Sequence, residues 1–207
     1  FELRGKRWGI IGMGNIGREV ARLASAFGCE VRYFSTSGVK RNEDYPAMEL
    51  EELMQWSDIV SVHSPLNEHT RGLVGAKELA MMKPSAMIIN VARGGIIDEA
   101  ALAEALDNGT IAAAALDVFS VEPLRESPLY NIKDKYKLLA SPHNAWSAAE
   151  AIDRLIGCVA DNIRNFPSLS AMRTARGRAK LKPTPAYTLR DTGRWNIRAP
   201  LSSTAHL

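Results

Sequence analysis

Six short apolar runs alternate along the chain with segments of helical periodicity, and this alternation restricts the folds open to it. The runs are rich in β-branched residues, and their near-continuous apolarity is typical of strands covered on both faces. They lie at residues 8–11, 30–34, 59–63, 86–91, 111–116 and 137–140. Because repeated strand–helix–strand units build a parallel sheet, the sequence predicts a doubly wound α/β domain.

The segments between the runs carry the start and stop signals of helices. Residues 98–108 begin with an acidic cap pair and end at an Asn-Gly pair. Residues 147–166 begin with a serine cap, place Glu150 at the capping-box position and end before Pro167. With residues 16–27 and 49–56, these make four predicted helices.

Composition excludes several classes of protein. The 207 residues are 46% hydrophobic and 24% charged, unlike collagen, coiled coils or disulfide miniproteins. Cys29 and Cys158 lack the spacing of a zinc site, so we predict no metal and expect both to be buried. No run approaches the roughly 20 apolar residues of a membrane span, and residues 1–5 lack the apolar core of a signal peptide. We therefore expect a cytosolic protein and no membrane partner.

The net charge of +3 conceals two different regions. Residues 1–166 hold 18 Lys and Arg against 22 Asp and Glu, whereas residues 167–207 hold 8 against 1. The apolar periodicity also ends at Pro167. We predict an ordered domain over 1–166, with its exit helix at 147–166, and a basic, disordered tail over 167–207. Charge alone supports nucleic-acid binding by this tail, so we do not expect it.

A glycine-rich motif follows the first predicted strand and opens the first helix. It reads Gly12-Met13-Gly14-Asn15-Ile16-Gly17. In such a motif the first glycine makes a tight turn, the second admits a pyrophosphate, and the third lets helix and strand pack closely. The free N–H groups at the helix N-terminus attract the anion. This context predicts a dinucleotide site; the alternative is a tight structural turn.

The end of the second strand bears on the choice between NAD and NADP. An acidic residue there accepts a hydrogen bond from the ribose 2′-hydroxyl of NAD. This chain has hydroxyl groups instead, on Ser35, Thr36 and Ser37. Backed by Lys40 and Arg41, they could accept the 2′-phosphate of NADP, which we slightly favour over NAD. The alternative is that the two cations are a solvated pair.

Polar residues follow three further strands, where ligands bind in open α/β sheets. These segments are residues 90–95, 116–123 and 140–146, and they contain Arg93, Glu122 and His143. Each residue alone is typical of an ordinary loop. Together at one sheet edge they predict a site that reduces a carbonyl group.

These segments and the glycine motif resemble the D-isomer-specific 2-hydroxyacid dehydrogenase family over residues 2–166. The match includes the strand end Val62-His63-Ser64-Pro65-Leu66 and the pair Pro142-His143. Residues 35–38 and 131–133 are most similar to the glycerate dehydrogenase or hydroxypyruvate reductase group. The resemblance implies a Rossmann-like domain and hydride transfer between NAD(P)H and a small 2-oxo or 2-hydroxy acid.

The resemblance also implies roles for individual residues. His143 would be the acid/base, Glu122 would hold its ring, and Arg93 would bind the substrate carboxylate. The side chain of His63 has no chemical role in the family and is expected to be structural, and Asp117 would contact the nicotinamide amide. The expected cofactor contacts are Gly12, Met13, Gly14, Asn15, Ile16, Gly17, Ser35, Thr36, Ser37, His63, Ser64, Pro65, Val91, Ala92, Arg93, Asp117 and His143.

Family members close their catalytic cleft with a second, substrate-binding domain built from both sides of this one. That domain is largely missing from this sequence, so we expect dinucleotide binding with weak or no turnover. The resemblance further implies a homodimer formed through residues 98–130. The alternative function is a non-catalytic, NAD(P)-sensing dimerisation module.

Overall fold

The computed structural model describes residues 2–39, 44–166, 187–189 and 195–197. The chain divides into two units, Phe1–Ile152 and Asp153–Leu207. Lys40 and Arg41, on which the preference for NADP depends, lie outside the described residues. Within the described part of the chain, no helix is long and apolar enough to cross a membrane.

The first unit is built on a six-stranded, wholly parallel sheet. Its strands are β1 Arg7–Ile11, β2 Glu30–Phe34, β3 Ile59–Val62, β4 Met87–Asn90, β5 Ala113–Leu116 and β6 Leu138–Ala140. They are ordered β2-β1-β3-β4-β5-β6, which confirms the predicted doubly wound fold. The chain moves outward in opposite directions from β1 and β3, and the crevice at such a reversal is the usual ligand site of an open α/β sheet.

Four helices connect the strands, and a fifth follows the sheet. They are α1 Asn15–Ala26, α2 Leu50–Trp56, α3 Ala76–Met81, α4 Glu99–Asp107 and α5 Ala149–Arg164. Helix α3 was not predicted, because six residues are too few to show a helical repeat. Its start is marked instead by Glu78, whose carboxylate accepts a hydrogen bond from the Gly75 N–H at 3.0 Å.

The core follows from the alternation of side chains along the strands. Ile10 and Ile11 are both fully buried, yet they belong to different apolar clusters, because successive strand residues point to opposite faces. Cys29 is buried as expected, with its Sγ 3.2 Å from the Leu3 carbonyl oxygen. The expectation for Cys158 was wrong: it is only partly buried, because it lies on α5, where no described residue is buried.

The second unit contains most of α5 and two short strands. These are β7 Tyr187–Leu189 and β8 Trp195–Ile197, which pair antiparallel. They fall in the segment predicted to be a disordered tail, and their aromatic and β-branched residues are typical of strands. The rest of that segment lies outside the described residues.

Substitutions at two glycines of the motif can test how tightly α1 packs on β1. A Cβ added at Gly17 would lie 2.3 Å from the Gly12 carbonyl oxygen, whereas one added at Gly14 would meet nothing within 4 Å. We therefore expect Gly17→Ala to lower the free energy of unfolding by about 1–3 kcal/mol in urea denaturation. Gly14→Ala is the matched control and should change it by less than about 0.5 kcal/mol. Equal losses in the two variants would contradict this packing.

Candidate active site

The carboxyl ends of β1, β2 and β3 meet at a cleft. It is lined by Gly12, Met13, Gly14, Ser35, Thr36, Ser37, His63, Ser64, Pro65, Asn67 and His69. Nine of these eleven residues are predicted cofactor contacts. Asn67 and His69 carried no sequence signal. Asn67 shapes the wall, because its Oδ1 accepts hydrogen bonds from the His69 and Thr70 N–H groups at 2.9 and 3.1 Å.

The cleft has the features that a dinucleotide requires. Helix α1 begins beside it, and at its Gly14 cap no side chain of the described residues accepts the helix N–H groups, which leaves donors for a pyrophosphate. Gly12 has a φ of 96°, and a Cβ there would lie 2.9 Å from the His63 and Ser64 backbone. The buried Ser64 hydroxyl has no hydrogen-bond partner among the described residues, so a polar ligand could satisfy it.

The hydroxyl groups after β2 are bonded to each other and to the backbone. Ser35 Oγ donates to the Val39 carbonyl oxygen at 2.7 Å. Ser35 and Ser37 Oγ lie 3.4 Å apart. Because Ser35 has one hydroxyl hydrogen and Val39 receives it, Ser37 is the donor of this second bond. Ser35 therefore presents one remaining lone pair to a further partner.

His63, in the wall of the cleft, is part of a partly buried chain of hydrogen bonds. Its Nε2 lies 3.0 Å from Ser61 Oγ, which accepts a hydrogen bond from Trp8 Nε1 at 2.8 Å. Burial lowers the pKa of His63 to about 4. The ring is therefore uncharged near neutral pH, in agreement with a structural role.

His143 and Glu122 form a hydrogen-bonded pair further along the same edge of the sheet. His143 Nδ1 lies 2.6 Å from Glu122 Oε2, and Glu122 Oε1 accepts the Phe119 N–H at 2.9 Å. The Phe119 N–H and then His143 hold the pKa of Glu122 below its usual range. An ionised carboxylate only accepts, so His143 Nδ1 carries the hydrogen and Nε2 is the nitrogen that can exchange a proton with a substrate.

Asp117 holds the loop that carries His143. Its Oδ1 accepts from Ser141 Oγ at 2.6 Å and from the Asn144 N–H at 2.9 Å. Its Oδ2 accepts from the Ala145 N–H, also at 2.9 Å. Both carboxylate oxygens are thus bonded to the loop, and the contact with the nicotinamide that the resemblance implied stays a prediction. Sequence reasoning missed this anchor because Ser141 and Asp117 are 24 residues apart.

Arg93 lies on the loop after β4 and is exposed. Buried Asn90 shapes this loop: its Oδ1 accepts the Ala92 N–H at 3.0 Å, and its Nδ2 donates to the Arg93 carbonyl oxygen at 2.9 Å. A Cβ added at Gly94 would lie 1.8 Å from the Phe119 carbonyl oxygen. The Arg93 loop therefore packs backbone to backbone against the segment that leads to Glu122.

The remaining predicted contacts lie elsewhere along this edge. Asn15 and Ile16 form the first turn of α1, and Val91 follows β4. Glu122 and His143 line a second cleft, together with Phe119, Pro123, Leu124, Tyr130, Ala140, Ser141 and Pro142. Within the residues that the structure describes, no group of three or more His, Cys, Asp or Glu side chains could hold a metal ion.

The sheet order, the glycine turn and the helix N-terminus together define a dinucleotide-binding domain of the Rossmann type, with a hydrogen-bonded His–Glu pair on the same sheet edge. Residues 1–145 match the family model described as D-isomer specific 2-hydroxyacid dehydrogenase, NAD binding domain. The chain belongs to this family, and the predicted resemblance is confirmed.

Relatives agree with this assignment. The chain is 44% identical to a glyoxylate reductase of Aeropyrum pernix over 80% of this chain and 50% of that protein. It is 37% identical to a glycerate dehydrogenase of Methylorubrum extorquens over 80% of this chain and 51% of that protein. The structure also superposes on a D-lactate dehydrogenase of Aquifex aeolicus that was solved with NAD and lactic acid. The TM-score is 0.74 at 28% identity, and the match covers 80% of this chain and 54% of that one. The chain thus spans about half the length of these proteins.

The anchoring role of Asp117 can be tested with Asp117→Asn. The amide NH₂ would face one of the loop donors, so we expect a loss of about 1–3 kcal/mol in the free energy of unfolding near pH 7. Urea denaturation measures this loss. Glu68→Gln, at an exposed site, is the control and should have little effect. Wild-type stability in Asp117→Asn would contradict the anchor.

The same residue predicts a dependence on pH. Burial raises the pKa of Asp117, but hydrogen bonds from Ser141, Ala145 and Asn144 and the charge of His143 outweigh it and leave the pKa below the ordinary value. Because the pKa is lower in the folded than in the unfolded chain, the ionised carboxylate stabilises the fold above the ordinary pKa of about 3.9. This stabilisation is lost as the pH falls through the folded pKa. Wild-type stability should therefore fall more steeply than that of Asp117→Asn below about pH 4.

Proposed function

We propose that this chain is the nucleotide-binding and proton-transferring part of an oxidoreductase that interconverts a small 2-oxo acid and its 2-hydroxy acid. The His143–Glu122 pair carries the proposal, because it places an acid/base at the sheet edge that also holds the dinucleotide cleft. The names of the relatives, glyoxylate reductase and glycerate dehydrogenase, support glyoxylate or hydroxypyruvate as the substrate.

In this proposal three residues of the chain have separate roles in the reaction. Bound NADH supplies the hydride. His143 donates a proton from Nε2 to the substrate oxygen during reduction and accepts it during oxidation. Ionised Glu122 holds Nδ1–H and stabilises the charged ring. Arg93 offers a planar fork of N–H donors to the substrate carboxylate.

The geometry after β2 bears on which cofactor is used. Ser35 presents one remaining lone pair, which suits a ribose 2′-hydroxyl that donates a hydrogen bond. A 2′-phosphate only accepts at neutral pH and finds no donor on Ser35. This favours NAD(H), opposite to the slight preference for NADP that the sequence suggested, which stays a prediction.

The resemblance supports a homodimer that forms through residues 98–130. The expectation of a cytosolic protein rests on composition and stays a proposal. The isolated chain binds the dinucleotide but turns over weakly, because a second domain is needed to exclude water from the cleft. A non-catalytic NAD-sensing module is the competing function, and it predicts no turnover even when a second domain is supplied.

Titration with NADH and NADPH, followed by nicotinamide fluorescence, tests the cofactor proposal. We expect NADH to bind more tightly, and Ser35→Asp to widen the difference, because its carboxylate accepts from a 2′-hydroxyl and repels a 2′-phosphate. Ser25→Asp adds the same charge at an exposed position of α1 and is the control. Tighter binding of NADPH than of NADH by the wild-type chain would support the NADP prediction instead.

A chimera tests the reaction itself. The chain is joined to the part of the Aeropyrum pernix glyoxylate reductase that it does not match, and NADH oxidation is followed with glyoxylate and hydroxypyruvate. We expect turnover that exceeds that of the isolated chain, and a decrease of about 10²- to 10⁴-fold in His143→Gln with NADH binding retained. A folded chimera that binds NADH without turnover would favour the sensing module.

A further inference from the structure

Glu99, the first residue of α4, makes two hydrogen bonds that the proposed reaction does not use. Its Oε1 accepts the Ser120 N–H at 2.6 Å, and its Oε2 accepts the Ser127 hydroxyl at 3.0 Å. Residues 120–127 form the loop that carries Glu122 and contain no helix or strand. Both oxygens of one carboxylate thus hold the two ends of the loop that presents Glu122 to His143.

Packing holds this loop at Leu124, which is partly buried against the core, but not at the residues around Glu122. Ser120, Val121, Glu122 and Pro123 are all exposed, and Val121 is 67% exposed. Exposed segments without buried apolar contacts open easily. Hydrogen bonds therefore contribute to the position of Glu122. The Phe119 N–H bonds its carboxylate directly, and Glu99 bonds the two ends of the loop from a helix whose inner face is buried at Leu102 and Leu106.

The cap of α4 does not explain this arrangement. Asp98 caps the helix, and its Oδ1 accepts the Ala100 and Ala101 N–H groups at 2.9 and 3.0 Å. The Glu99 carboxylate is directed to the loop instead. A carboxylate in the first turn also favours the helix dipole, but that effect needs no contact with Ser120 or Ser127.

We propose that Glu99 is a positioning residue, which clamps the loop 120–127 and thereby keeps Glu122 in hydrogen-bond contact with His143. Its relevance to catalysis rests on the proposed function; the clamp itself does not. Loss of the clamp should loosen the 2.6 Å contact between His143 Nδ1 and Glu122 without affecting the nucleotide cleft, which is lined by other segments.

The experiment is proton NMR of the whole chain. A histidine N–H bonded to a carboxylate gives a downfield resonance, which is assigned to His143 by its absence in His143→Gln. In Glu99→Ala we expect this resonance to be lost or broadened while NADH affinity stays within about twofold of wild type. In Glu99→Gln it should be partly retained, because the amide oxygen can still accept the Ser120 N–H. Glu104→Ala, an exposed carboxylate of the same helix, should leave it unchanged.

A wild-type resonance in a folded Glu99→Ala chain would overturn the proposal. If that variant does not fold, Glu99→Leu replaces it, since an apolar side chain of similar size removes both hydrogen bonds; an unchanged resonance in Glu99→Leu would equally overturn the clamp. In the chimera, kcat should fall in Glu99→Ala while KM for NADH stays unchanged. The NMR signal needs neither cofactor nor turnover. Failure of the proposed function therefore appears as absent NADH binding or turnover in the wild type, with the resonance present.

Discussion

The candidate active site depends on the buried carboxylate of Asp117. Burying a charge is costly unless hydrogen bonds replace its hydration, and here the Ser141 hydroxyl and two backbone N–H groups do so. The same bonds join the end of β5 to the loop after β6. His143, on that loop, adopts a φ of 53°, which is uncommon for a residue with a side chain. A loop held by three bonds to a buried group can keep such a conformation.

The same construction recurs at the neighbouring loops. Asn90, at the end of β4, holds the Arg93 loop through its side-chain amide, and Glu99, at the start of α4, holds the loop of Glu122. In each case a polar side chain on a strand or helix bonds the backbone of a loop. The exposed groups that could touch a substrate are thus positioned by residues that would not touch it.

Much of the first unit could be predicted from sequence, because apolar strands buried on both faces leave a direct signal. All six predicted runs contain strands, and the glycine motif lies where the sheet order reverses. Helix α3 left no such signal, since six residues make fewer than two turns. Cys158 was predicted to be buried because cysteine outside a metal or disulfide pattern usually is, but residue type does not show whether a helix face is covered.

The hydrogen-bonding of the site could not be predicted in the same way. Ser35, which follows β2, could donate a hydrogen bond to a phosphate or accept one from a ribose hydroxyl. Which of the two it does depends on where its one hydroxyl hydrogen is directed. In the structure it is directed to the Val39 carbonyl oxygen, four residues away. The partners of Asp117 and Glu99 are more than 20 residues distant. Such pairings arise only when the sheet brings the ends of its strands together.

The two histidines at strand ends show how environment decides chemistry. His63 and His143 both follow a strand, and residue type alone gives each the same capacity for proton transfer. Burial against Ser61 lowers the pKa of His63 to about 4, so it stays neutral at the pH where a reductase would work. His143 is partly exposed and faces an ionised carboxylate, which stabilises the charge that a proton brings. Of these two rings, only that of His143 is hydrogen-bonded to a carboxylate, and this is why we propose it as the acid/base.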